Sequence, residues 1–124
     1  MHLTLLRSLG VLAAIAMSQA AAGPTAAHAV IVEATPAVNA TVHGDRLAVT
    51  LRFNSRIDRG RSRLTLIDAA GKETAVALEK SSPSDVLAAS IGGLVAGRYR
   101  LRWQVLAIDG HITRGDIPFT VAAP

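Results

Sequence analysis

Two stretches of the chain set large apolar residues at every second position, and this period of two restricts the fold more than any other feature. Arg46 to Phe53 (RLAVTLRF) places Leu47, Val49, Leu51 and Phe53 on one side, with Ala48, Thr50 and Arg52 on the other. Arg98 to Ile108 places Tyr99, Leu101, Trp103 and Val105 on one side, opposite Arg98, Arg100, Arg102 and Gln104. A helix would spread these apolar residues around its axis. A strand gathers them on one face, and a sheet wet on one side needs such strands.

The remaining segments fit the same architecture. Ala29 to Ala34 (AVIVEA) is short and β-branched, Thr35-Pro36-Ala37 breaks it, and Val38 to Gly44 reads as a connection. Asn54 to Arg61 (NSRIDRGR) reads as a polar loop. Ser62 to Asp68 and Glu73 to Leu78, around a turn at Ala69–Lys72, predict a hairpin. Glu79 to Asp85, with Pro83, is another loop. In Val86 to Leu94 an alanine-rich helical tendency competes with a short strand, and Gly92-Gly93 favours the strand. Asp116 to Ala122 closes the domain with Ile117, Phe119 and Val121 inward. The expectation is all-β: a sandwich of about seven short strands at intervals of roughly 8–12 residues, with Trp103 as its large aromatic anchor.

The first residues follow a different logic. Arg7 precedes an unbroken apolar run, Leu9 to Met17, and small residues follow from Ser18 to Ala27. That is the layout of a secretory signal peptide, and the run is too short for a permanent span, which needs ~20 apolar residues. Small residues in the positions before the cut fit Ser18/Ala20, Ala20/Ala22 or Thr25/Ala27. The last option removes residues 1–27 and leaves a mature domain of residues 28–124 that begins with His28. Both methionines, Met1 and Met17, leave with the leader. The expected location is a periplasm, with no membrane span in the mature chain.

There is no cysteine, so disulfide bracing and thiolate metal sites are excluded. Eleven arginines and two lysines give a pI of about 10.7. Most of them alternate with apolar residues, as a solvated outer face requires. Nucleic acid is not an expected partner, because only four aromatic residues are available to stack bases.

Asp109-Gly110-His111 follows the long alternating strand. Asp-Gly is an ordinary turn signal. In extended backbone, however, residues two apart leave the same face about 6–7 Å from each other, close enough to converge on one ion. An N-terminal His28 would add an imidazole and a free α-amine, whose pKa near 8 allows a metal to displace its proton. His28, Asp109 and His111 together offer three nitrogens and one oxygen, the tetragonal set that Cu(II) prefers.

These residues resemble the CopC-type periplasmic copper-binding proteins. The resemblance rests on His28-Ala29 with Thr35-Pro36-Ala37, on Leu51-Arg52-Phe53, on Gly97-Arg98-Tyr99, and on Trp103-Gln104-Val105 leading to Asp109-Gly110-His111, Gly115 and Phe119. It implies an immunoglobulin-like β-sandwich or Greek-key β-barrel. It also implies a single Cu(II) held by His28, Asp109 and His111, and a carrier or buffer in copper homeostasis and resistance. A membrane copper transporter of the CopD type is the partner it suggests, and a monomer is expected. Some relatives carry a Met-rich loop for Cu(I), which a mature chain without methionine lacks. Others place an acidic residue where this chain reads Asn54-Ser55-Arg56. His43, in a connection, is expected to be a surface histidine.

Two other classes compete with a non-enzymatic carrier. A histidine-brace copper monooxygenase also uses an N-terminal histidine, but 97 residues leave little room for a carbohydrate face. A metal-free interaction module would make Asp109-Gly110-His111 a simple corner.

Overall fold

The computed structural model describes residues 29–124, which form eight strands in two sheets. The strands are β1 (Ile31–Thr35), β2 (Ala40–Val42), β3 (Leu47–Phe53), β4 (Ile57–Ile67), β5 (Glu73–Val76), β6 (Val86–Ile91), β7 (Gly97–Ala107) and β8 (Ile112–Val121). One sheet runs β1-β3-β6 and the other β2-β8-β7-β4-β5. They face each other as an open sandwich of immunoglobulin type. All neighbours are antiparallel except β2 and β8, which run parallel.

The alternation read from the sequence sets the packing. Leu47, Val49, Leu51 and Phe53 of β3 are all buried, and the residues between them are exposed. They meet Leu87, Ala89 and Ile91 of β6 and, across the sandwich, Tyr99, Leu101 and Val105 of β7 with Ile117, Phe119 and Val121 of β8. Tyr99 is stacked on Phe119 at 5.4 Å, and its hydroxyl donates to the Val95 carbonyl at 2.9 Å. A tyrosine near the start of a strand that bonds backwards to a preceding turn is a hallmark of this sandwich type.

Three expectations are corrected. The connection Val38 to Gly44 contains β2, a three-residue edge strand too short to show a period. The polar stretch Asn54 to Arg61 is mostly strand, because β4 begins at Ile57. Its register slips between Asp58 and Arg63, and the Ser62 hydroxyl fills the gap. It donates to the Asp58 carbonyl at 2.6 Å and accepts the Leu106 N–H at 3.2 Å. A bulge of this kind breaks the period of two, so the strand reads as loop.

Trp103 is the third correction. It is half-buried and packs against the core from the margin, edge-on to Phe53 at 5.4 Å. The largest fully buried side chains of the core are Phe53, Leu51, Leu64, Leu87 and Leu101. Trp103 instead lies flat over Gly115 of β8, where an added Cβ would stand 2.7 Å from the indole ring. Gly115→Ala is therefore expected to displace the indole and destabilise by ~1–3 kcal/mol as an overpacking change, measured by thermal unfolding. Unchanged stability would show that the indole shifts at no cost.

Candidate metal centre

The β7–β8 hairpin closes on the predicted corner. The Gly110 N–H donates to the Ala107 carbonyl at 2.9 Å, and the Ala107 N–H donates to the His111 carbonyl at 2.8 Å. Gly110 sits at φ +92°, a conformation that suits glycine. Asp109 and His111 are thus brought together by a tight turn and not by extended backbone. The turn reading of the Asp-Gly signal holds, and it is the turn that brings the two side chains together.

Asp109 Oδ1 accepts the His111 backbone N–H at 3.1 Å and lies 3.3 Å from His111 Nδ1. The backbone N–H of His111 is the main reason the Asp109 carboxyl is held below its usual range, and the imidazole contributes further. The carboxylate therefore stays ionised in mildly acidic conditions, as a metal-binding oxygen must. Both side chains are open to solvent. Among the described residues no cluster of three or more His, Cys, Asp or Glu could hold a metal, so Asp109 and His111 do not make a metal site by themselves.

The start of the described chain is fastened beside this corner. Ala29 is buried, and its carbonyl accepts the Thr113 hydroxyl at 3.0 Å, two residues beyond His111. The Val30 N–H donates to Asn54 Oδ1 at 2.8 Å, and the Asn54 N–H donates to the Val30 carbonyl at 2.9 Å. β1 pairs with β3 in the other sheet, and Thr113 reaches across the sandwich end to meet the residues that lead into it.

His28 itself lies outside the described residues. His43 is exposed, in a pocket with Ala96 and Val121, at the opposite end of the β7–β8 hairpin from Asp109 and His111. It does not join them. Asn54 and Thr113 are the residues that sequence reasoning missed. Asn54 was noted only as the absence of a carboxylate, and its observed work is to clamp Val30. No local pattern marks either one, because their partners lie 24 and 84 residues away.

A two-sheet immunoglobulin-type sandwich with a carboxylate–imidazole corner at one end defines a class of small β-sandwich proteins. Residues 31–122 match the CopC domain family, and the chain belongs to that family. The crystal structure of CopC from Methylosinus trichosporium OB3b superposes with a TM-score of 0.71 at 29% identity, covering 77% of this chain and 95% of that one. PcoC, a methionine-rich copper resistance protein from Escherichia coli, shares the fold, with a TM-score of 0.57 at 23% identity over 77% of this chain and 99% of its own. Among curated relatives, Protein YobA of Escherichia coli K12 is 29% identical over 98 residues, 77% of this chain and 79% of the relative. The copper transport protein CutJ of Bacillus subtilis 168 is 26% identical over 110 residues, 77% of this chain but 18% of the relative.

Proposed function

We propose that this protein is an exported copper carrier or buffer that takes one Cu(II) at the end of the sandwich. The ligands are His28, through its α-amine and imidazole, with Asp109 and His111. The observation that carries this reading is the Thr113–Ala29 hydrogen bond, which fastens the backbone one residue after His28 beside the carboxylate–imidazole corner. Family membership and the copper transport relative support the cargo. The donor set of nitrogen and oxygen favours Cu(II), and residues 28–124 contain no methionine or cysteine to retain Cu(I).

Removal of residues 1–27 is part of this reading, since only a free amine completes the chelate. The periplasm is the compartment it implies, and the protein delivers its ion without chemical turnover. CutJ is matched over a small part of its length, so a domain like this one occurs within a much longer copper transport protein. That supports a membrane copper transporter of the CopD type as the partner here.

Thr113→Val keeps the shape of the side chain and deletes the hydroxyl that holds Ala29. It is expected to weaken Cu(II) binding about tenfold, with the apo domain destabilised only by the ~1 kcal/mol of one hydrogen bond, a fall of about 4–8 °C in melting temperature. Thr113→Ser should restore the affinity. Calorimetric titration and thermal melts of the same samples check this. Undiminished affinity in Thr113→Val would remove the clamp from the account.

A further inference from the structure

The outer face of the five-stranded sheet carries the entire charge excess of the described chain. Arg63 on β4, Arg98, Arg100 and Arg102 on β7, and Arg114 on β8 share this face by register. Asp116 accepts from Arg100 at 3.1 Å and Arg102 at 2.9 Å, and Glu73 lies 3.5 Å from Arg102. Asp58, opposite Leu106 on the same face, is matched by Arg61 at 3.9 Å. Six arginines thus stand against three acids. The other described residues hold six cations and six acids. Arg63, Arg98 and Arg114 have no carboxylate within ion-pair distance among the described residues. Arg63, Gln104 and Arg114 form one row across three strands. Between Arg102, Gln104, Arg114 and Asp116, Gly115 floors a shallow depression.

The next row on the same face is apolar. Leu106 pairs with Ile112, and Ile108 lies just beyond; Ile108 and Ile112 are 66% and 54% exposed. A flat field of planar guanidinium groups that continues into exposed isoleucines matches an anionic bilayer surface, where arginine meets phosphate and aliphatic side chains enter the headgroup boundary. An acidic protein surface would satisfy the arginines and leave the isoleucines wet. We propose that this face docks on anionic phospholipid, bringing Asp109 and His111, which lie between the two isoleucines in sequence, to the bilayer. The docking arginines are not metal ligands, so lipid binding and copper binding fail independently.

The test is flotation of the chain beginning at His28, with and without Cu(II), on vesicles of phosphatidylcholine alone or with about 30 mol % phosphatidylglycerol. Binding is expected only to the anionic vesicles, and added salt should release it. Replacing Arg63, Arg98 and Arg114 by Gln together should weaken partitioning about tenfold or more, with copper affinity unchanged. Replacing Arg46, Arg52 and Lys80 by Gln removes the same charge from outside this face, Arg52 lying on β3 of the other sheet, and should leave most of the binding. Three results would overturn the proposal. They are equal loss in both triple variants, equal binding to zwitterionic vesicles, and no binding to anionic vesicles, the last of which would leave the face to an acidic protein partner.

Discussion

A chain with a single glycine ahead of His28 is expected to bind Cu(II) at least about a hundredfold more weakly than a chain that begins at His28, or ~2.7 kcal/mol. Every side chain is the same in the two forms. The difference is that the α-amine becomes a peptide nitrogen, which holds its proton far more tightly. The sign of the pH effect follows. A free amine binds its proton with a pKa near 8, and copper must displace that proton. Affinity of the native form should therefore rise with pH up to about 8 and then level off. The extended form should lose that dependence. Equal affinities and equal pH profiles would reduce the site to the side chains of His28, Asp109 and His111, where zinc competes on better terms.

The second large effect separates fold from site. Leu101 is fully buried at the centre of β7, between the two sheets. Leu101→Ala removes three heavy atoms from that core and is expected to destabilise by ~2–5 kcal/mol. A domain of this size has on the order of 5–15 kcal/mol in total. At about 4–8 °C per kcal/mol, the melting temperature should fall by tens of degrees in the worst case. His111→Ala should do the reverse, abolishing tight Cu(II) binding while the apo melt stays near that of the parent. The His111 side chain is 54% exposed and packs little core. A large drop in the apo melt of His111→Ala would make the histidine a structural part of the turn.

The strands that could be read in advance are those with an unbroken period. β3 has one side fully committed to the core, and so has β7 apart from Trp103, so their other inward residues were legible one by one. β2 was hidden by its three-residue length, and β4 by the bulge that Ser62 bridges. Trp103 was over-read, because size alone does not place a residue at the centre. Gly115 opposite it leaves a shelf at the sandwich margin, and the indole fills that shelf.

The site was legible in the same uneven way. Asp109 and His111 are neighbours in sequence, and they meet across a turn that the Asp-Gly pair announces. The link to the chain start depends on Thr113 meeting Ala29 and Asn54 meeting Val30. Those contacts exist only once both sheets have formed. No window of the sequence contains both halves of either.

Electron paramagnetic resonance of the chain beginning at His28, loaded with one equivalent of Cu(II), tests the central claim most directly. The account predicts a tetragonal signal with three nitrogen donors at full occupancy, falling to two when His111 is replaced by Ala. A spectrum with fewer than three nitrogens, or one that His111→Ala leaves unchanged, would contradict it.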